Sequence, residues 1–195
     1  MKIKILIKGY VREKNDYELA SSTVTFIREN NINILVDTGM NRKLLLNALK
    51  KEKLSPKDIN YVVLTHTHLD HCLLVGLFVN AAILDDSNIY FFNGKNTEHQ
   101  GIIPKTNIKI IPTPGHDDSH CSVEINSNKF GKIVIASDVF WWPDNKKQKT
   151  DKNSLLKLSD PYANDKKTLK KSREKILKIA DYIIPGHGKP FKLEK

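Results

Sequence analysis

Cysteine is almost absent from this 195-residue chain: Cys72 and Cys121 are its only two, too few for a disulfide framework. Each directly follows a histidine, so proximity to a metal is open to them, but both are expected to be ordinary, partly buried thiols. Long apolar runs are lacking as well. No stretch approaches the roughly 18 residues that a membrane-spanning helix needs. Met1 to Ile7 alternate Lys and Ile as a strand would, without the unbroken apolar core of a signal peptide. The expectation is a cytoplasmic protein with no membrane segment. Arginine is scarce too, at four of 32 basic residues, which removes most of the side chains suited to bidentate phosphate recognition. The apolar fraction of 39% is low but compatible with a globular α/β domain. At this length one domain over residues 1–195 is expected, with room for a sizeable core.

What the chain has instead is lysine, and it is unevenly placed. The formal net charge is +10, and residues 146–195 hold 15 Lys and Arg against 6 Asp and Glu. The rest of the chain is nearly neutral. A basic C-terminal quarter can attract a polyanion such as single-stranded RNA, because phosphate contacts dominate such affinities. The competing reading is a solvated, lysine-rich helix face within a general bias towards Lys, Asn and Ile.

The most informative stretch is Thr65-His66-Thr67-His68-Leu69-Asp70-His71. It follows the short, β-branched run Tyr61-Val62-Val63-Leu64, which reads as a buried strand. Loops at the carboxyl ends of strands are where α/β scaffolds hold reactive groups. Two imidazoles two apart, then a carboxylate and a third imidazole side by side, cannot all reach one tetrahedral ion comfortably. They can serve two ions a few ångströms apart, the arrangement used for two-metal hydrolysis.

Other residues of ligand type also follow predicted strands. Residues 2–9 and 21–28 alternate as strands, and residues 32–36 form the next strand of a meander, ending at Asp37. Residues 41–50 have helical spacing with Asn41 as N-cap, Ser55 to Asp58 begin a helical turn with Pro56 at its first position, and a helix is expected over residues 71–79. Short strands are predicted at 81–84, 89–92 and 108–111. Pro112-Thr113-Pro114-Gly115-His116 is a rigid turn that offers His116 as a fourth imidazole. His120 is expected to line the pocket or lie exposed without ligating, and His99 to sit in a surface loop. Residues 121–125 and 132–136 read as a hairpin whose second strand ends in Ser137-Asp138, so Asp138 is placed to bridge two cations. Phe140-Trp141-Trp142 is either core packing or a wall facing substrate. Residues 144–153 read as an exposed linker, 165–180 as an amphipathic helix, and 181–184 as a strand leading to Pro185-Gly186-His187-Gly188. No internal repeat is visible.

This set of residues resembles the metallo-β-lactamase superfamily. Its H-x-H-x-D-H motif is matched by His66, His68, Asp70 and His71. Its downstream His is matched by His116 in T-P-G-H, its bridging Asp by Asp138, and its last His by His187 in P-G-H-G. Asp37 in V-D-T-G fits the early aspartate. Within the superfamily the chain is similar to the family of metallo-β-lactamase domain-containing protein 1. The matching segments are Gly76-Leu77-Phe78, Ala81 to Leu84, Ser137-Asp138-Val139-Phe140, Leu158-Ser159-Asp160-Pro161 and Pro185 to Phe191.

The resemblance implies an α/β fold, an αββα sandwich of two mixed β-sheets flanked by helices. It implies one metal at His66, His68 and His116, a second at Asp70, His71 and His187, and Asp138 between them. Two divalent ions are expected, zinc first, with iron or manganese also suited to such donors. A hydroxide shared by the two ions would attack the substrate, Asp70 would orient it, and Asp37 would support a ligand imidazole.

The human member of that family is regarded as an RNA-cleaving enzyme, so a phosphodiesterase or ribonuclease is the first expectation. Its partner would be single-stranded RNA or another anionic substrate, held in a basic groove of its own or on a homodimer surface. The alternative is a small-molecule acyl hydrolase acting on a lactone, ester, thioester or β-lactam. Against the glyoxalase type, the chain stops soon after P-G-H-G and lacks a helical substrate domain. A non-catalytic binding module is disfavoured because no ligand position is missing.

Overall fold

The computed structural model describes residues 1–194. Strand β1 (Lys2–Ile7) is followed by a hairpin of β2 (Tyr10–Glu13) and β3 (Glu18–Ser21), then by β4 (Val24–Glu29) and β5 (Ile32–Val36). Asn30 and Asn31 turn β4 into β5 with left-handed φ values of 49° and 63°, the conformation that a tight two-residue hairpin turn requires. Next come α1 (Arg42–Lys51), β6 (Tyr61–Val63), α2 (Leu69–Cys72), β7 (Ala82–Leu84), β8 (Asn88–Tyr90) and β9 (Asn96–Glu98). The second half holds β10 (Lys109–Pro112), β11 (Cys121–Ser127), β12 (Gly131–Trp141), α3 (Lys152–Leu156), α4 (Lys166–Ile179), β13 (Tyr182–His187) and β14 (Phe191–Lys192). Among the described residues no helix is long and apolar enough to cross a membrane.

Seven strands form one sheet in the order β1-β4-β5-β6-β7-β8-β9, and five form the other in the order β10-β11-β12-β13-β14. Both sheets are mixed: β5, β6 and β7 are mutually parallel, as are β12 and β13, while the remaining pairs are antiparallel. Alternation along the strands explains the layering. In β5, Ile34 and Val36 face the second sheet and join Val123, Ile125, Ile133 and Ile135 in the central core. Leu35 between them packs outward with Phe26, Leu45 and Leu49 under α1. In the second sheet, Val134 and Ala136 pack outward against Leu169, Ile176 and Leu177 of α4. Each sheet is therefore buried on both faces, and the result is the expected αββα sandwich.

Helix ends follow the sequence closely. The Asn41 side chain accepts from the Leu44 N–H at the start of α1, and Asp165 accepts from Lys167 and Thr168 at the start of α4.

Four local expectations are corrected. The helix expected over residues 71–79 is one turn, α2, followed by a short 3₁₀ segment, Val75–Leu77. Its carbonyls are used elsewhere: His71 accepts from the Thr38 and Gly39 N–H groups, and Asp70 accepts from that of Ser22. These bonds occupy the acceptors that a continuing helix would need. The strand expected over 21–28 begins at Val24, and residues 10–21 form an additional hairpin whose polar, non-alternating sequence hides it. His99 does lie in a loop, directly after β9, but it is half-buried and not a surface residue. Finally, β12 does not stop at Ala136 but runs to Trp141, so Asp138 lies within it rather than beyond it. Its register against β13 shifts around Ser137, whose φ is 46°. This is a bulge, which re-aims side chains without ending a strand.

Gly115 shows how tightly the loop after β10 is held. Its φ is 126°, and a Cβ there would lie 2.1 Å from the Leu169 backbone nitrogen of α4. Gly115→Ala is expected to cost on the order of 3 kcal/mol, combining backbone strain with the clash. Thermal unfolding should fall by roughly 6–12 °C, and an unchanged transition would refute this account of the loop.

Candidate metal centre

Parallel strands β5 and β6 end side by side, with Val36 opposite Val63. Just beyond these ends, Asp37 and Thr65 meet through two hydrogen bonds. The Thr65 N–H donates to Asp37 Oδ1 at 2.9 Å and its hydroxyl donates to Oδ2 at 2.9 Å. That hydroxyl has only one proton, so its 2.8 Å contact with Ser137 Oγ must be donated by the serine. By the same reasoning its 3.1 Å contact with His66 comes from the imidazole Nδ1–H. His71 Nδ1 lies 2.8 Å from Asp37 Oδ2 and donates to it. His116 Nδ1 lies 2.7 Å from Asp160 Oδ2 and donates there.

These bonds fix the tautomers. His66, His71 and His116 each commit Nδ1–H to an oxygen, which leaves Nε2 as the lone-pair nitrogen, the usual preparation of a metal-binding imidazole. The Nε2 atoms of His66 and His116 each lie 3.1 Å from Nδ1 of His68. Donors bound at about 2.05 Å to a tetrahedral ion are about 3.3 Å apart, so the three nitrogens have the spacing that a cation needs.

The structure brings the predicted ligands into two groups, His66, His68, His116 and Asp138 in one and Asp70, His71 and His187 in the other. Within each group the ligand atoms lie within 4.8 Å of one another. Asp138 reaches both. Its Oδ2 is 3.4 Å from His116 Nε2, and its Oδ1 is 3.4 Å from His71 Nε2 and 3.7 Å from His187 Nε2. Asp70 Oδ2 sits 3.1 Å from His187 Nε2. His71 Nε2 and Asp138 Oδ1 are buried without a hydrogen-bond partner. Orphaned groups of this kind are costly unless something else satisfies them, and a cation would do so. The residues present fit divalent ions.

Electrostatics point the same way. Burial, with His71 and His120 nearby, pushes the His66 pKa well below its ordinary value. Burial also lowers that of His68, so both lone pairs are free. Burial alone would raise the pKa of Asp138, but His71 and His187 outweigh it and hold the carboxyl well below the usual range. Burial likewise opposes charge on His71, yet the Asp138 and Asp37 carboxylates raise its pKa well above normal. These carboxylates favour positive charge on this side of the centre, as a cation would supply.

The remaining histidines stand apart. His120 is fully buried beside His66, with ring centroids 5.0 Å apart, and its Nδ1 is 3.0 Å from Thr113 Oγ1. Burial lowers its pKa to about 3, so it is a neutral packing ring outside both ligand groups. His99 lies away from the centre, its Nε2 3.1 Å from the Asp85 carbonyl. Cys72 and Cys121 are free thiols near the carbonyls of Thr67 and Leu64. Phe140 and Trp142 belong to the core under α4, whereas Trp141 reaches the pocket of about 450 Å³ that opens over Asp70, Asp138 and His187.

Sequence reasoning missed the supporting role of Asp160. Its loop is pinned by the buried Arg173, which donates to the Val139 carbonyl at 3.0 Å and the Leu158 carbonyl at 2.5 Å. The available signal was a lone arginine at a core-facing position of a lysine-rich helix, where only buried acceptors can justify a cation.

Comparison with known proteins agrees with this geometry. The family profile described as metallo-beta-lactamase superfamily matches residues 18–85. Metallo-beta-lactamase domain-containing protein 1 of Xenopus laevis is 32% identical over 203 residues, covering 99% of this chain and 82% of the relative. The chain belongs to the metallo-β-lactamase superfamily. The mouse protein of the same name is 37% identical over 82% of this chain, which spans 61% of that relative's length. A probable metallo-hydrolase of Methanocaldococcus jannaschii is 32% identical over 95% of this chain and 86% of its own.

Among solved structures, a Thermotoga maritima protein of this superfamily superposes with a TM-score of 0.74 over 98% of both chains at 20% identity. A dizinc quorum-quenching lactonase superposes with a TM-score of 0.64 over 88% of this chain and 73% of its own, at 17% identity. At such identities the match is one of metallo-β-lactamase fold. As a member of this superfamily, the chain is a metal-dependent hydrolase.

If Asp160 orients His116, Asp160→Ala should weaken zinc binding by 10–100-fold while leaving the far-UV circular dichroism of the metal-free chain unchanged. A competition titration with a chromophoric chelator measures this. Wild-type affinity in the variant would show that His116 needs no such support.

Proposed function

We propose that this enzyme is a phosphodiesterase acting on single-stranded RNA. It would use two divalent ions, zinc by the nature of the donors, held by His66, His68 and His116 on one side and Asp70, His71 and His187 on the other. Asp138 would contribute one oxygen to each. Ions held there polarise a phosphoryl oxygen and make water acidic enough to attack at neutral pH.

The observation that carries the substrate assignment is the placement of the lysines. Lys146, Lys147, Lys149 and Lys157 line a cavity that shares four residues with the pocket over Asp70 and Asp138. A phosphodiester at the centre would have its neighbouring phosphates within reach of that cationic rim.

The chain's own residues take defined parts. Burial raises the Asp70 pKa, but the hydrogen bond from His187 and the nearby imidazoles outweigh it and leave the group lowered. Asp70 is therefore ionised at neutral pH and can orient the attacking water and accept its proton. As the new P–O bond forms, the bond to the leaving ribose oxygen breaks, and that oxygen takes up the proton held by Asp70. Asp37 and Asp160 hold His71 and His116 against rotation. This reading extends the similarity to metallo-beta-lactamase domain-containing protein 1.

A second reading, hydrolysis of a lactone or related acyl compound, is favoured by the fold shared with the dizinc lactonase and by Val11, Ala20, Met40 and Leu69 around the same pocket.

Zinc-loaded protein should cleave a fluorescent single-stranded RNA, and Asp138→Asn or chelation should abolish cleavage. Four phosphate contacts by lysine would weaken RNA affinity on the order of 50-fold between 50 and 200 mM salt. Turnover of lactones with no RNA cleavage under any condition would replace this reading with the acyl one.

A further inference from the structure

The lysine-lined cavity has a volume of about 680 Å³, within the range of small-ligand sites. It shares Val11, Glu18, Trp141 and Tyr162 with the pocket over the metal-ligand groups, so the two adjoin. Aromatic rings mark the passage between them. The Trp141 ring lies 6.2 Å from that of His187 and 5.8 Å from that of Tyr162, the latter at an interplanar angle of 37°. Tyr162 is 60% exposed, which is high for a ring at the meeting point of two cavities and leaves it open to a planar ligand. Trp142 is anchored edge-on against Phe191 at 6.0 Å and gives the cavity a fixed wall.

The polar lining is equally selective. No salt bridge among the described residues engages Lys146, Lys147, Lys149 or Lys157, so their charge is available to a ligand. Glu13 and Glu18, cross-strand partners in the β2–β3 hairpin, line the same space. A purely anionic ligand would be repelled by these carboxylates, and an acyl chain would have no use for either charge. A nucleotide uses both. Its phosphate meets ammonium groups, its base stacks on an aromatic ring, and the exocyclic amine of adenine or cytosine can donate to a carboxylate. Stacking platforms beside cationic grooves are how proteins hold single-stranded nucleic acids.

We propose that this cavity is a nucleotide subsite, in which the base next to the scissile phosphate stacks on Tyr162 and Trp141 while Lys146 and Lys157 hold its outer phosphate. This placement relative to the cleaved bond rests on the phosphodiesterase reading above; the nucleotide-binding property itself does not.

The chain has only two tryptophans, and both line this cavity, so intrinsic fluorescence reports on it directly. Zinc-loaded protein is titrated with adenosine 5′-monophosphate, with ribose 5-phosphate as a control that carries the phosphate without the base. Saturable quenching by the nucleotide, at least tenfold weaker binding in Tyr162→Ala and in the Lys146→Ala/Lys157→Ala double variant, and no quenching by ribose 5-phosphate are expected. Absence of quenching, or equal responses to both probes, would overturn the subsite. If such a protein still cleaved RNA, the phosphodiesterase reading would survive without it. Nucleotide binding lost in the Tyr162 variant, in a protein unable to cut RNA, would keep the base-binding cavity and remove the phosphodiester chemistry instead.

Discussion

The centre depends on a constraint that is easy to overlook: two separate sheets must be held in a fixed relation to one another. The Asp37 carboxylate supplies that tie. It accepts from Thr65 and His71 in the first half of the chain, and through the Thr65 hydroxyl it is joined to Ser137 of β12 in the second sheet. The whole cluster is buried, so each of these bonds acts in a low-dielectric setting and leaving one unmade is costly. Because the same network fixes the protons of His66 and His71, one group of residues sets both the relative position of the sheets and the direction of the lone pairs. Removing it would disturb geometry and basicity together.

The second organising feature is the bulge at Ser137. A regular strand would alternate Ser137 and Asp138 between the two faces. The local shift of register lets the serine join the Asp37 network while Asp138 lies between the two ligand groups. It is the kind of irregularity that persists at functional sites because the surrounding contacts demand it. The opposite wall must make room, and Gly186 does so, since a Cβ there would lie 1.7 Å from Asp138 Oδ1.

Much of this was legible in the sequence. The loop after Leu64 announces itself because three imidazoles follow a β-branched apolar run, and nearly every strand and cap adjoining the predicted ligands forms where local chemistry favours it. What escaped detection depends on distant partners. The turn at Leu69–Cys72 stops early because Ser22, Thr38 and Gly39 claim its carbonyls. Nothing near residue 71 could reveal that. The β2–β3 hairpin lacks apolar alternation, and its placement beside the pocket comes from tertiary packing. Asp160 stood out only as part of the matching segment Leu158 to Pro161, with no role attached. Its 2.7 Å bond to His116 is made from a loop that Arg173, on another element, holds at Leu158.

Gly9 has a consequence of a different kind. A Cβ at this position would lie 2.0 Å from the carbonyl oxygen of Gly186, and that same carbonyl accepts from the Thr23 N–H at 2.7 Å. The segment that leaves β1 is therefore clasped against the backbone that presents His187. Contacts between opposite ends of a sequence close the largest loops and cost the most chain entropy to make. The half-centre of Asp70, His71 and His187 draws on both sheets and exists only where the two have met. A chain lacking β13 would keep His66, His68 and His116 but would have no complete second group. Both ligand groups are therefore complete only in the closed fold, and the clasp at Gly9 is part of what closes it.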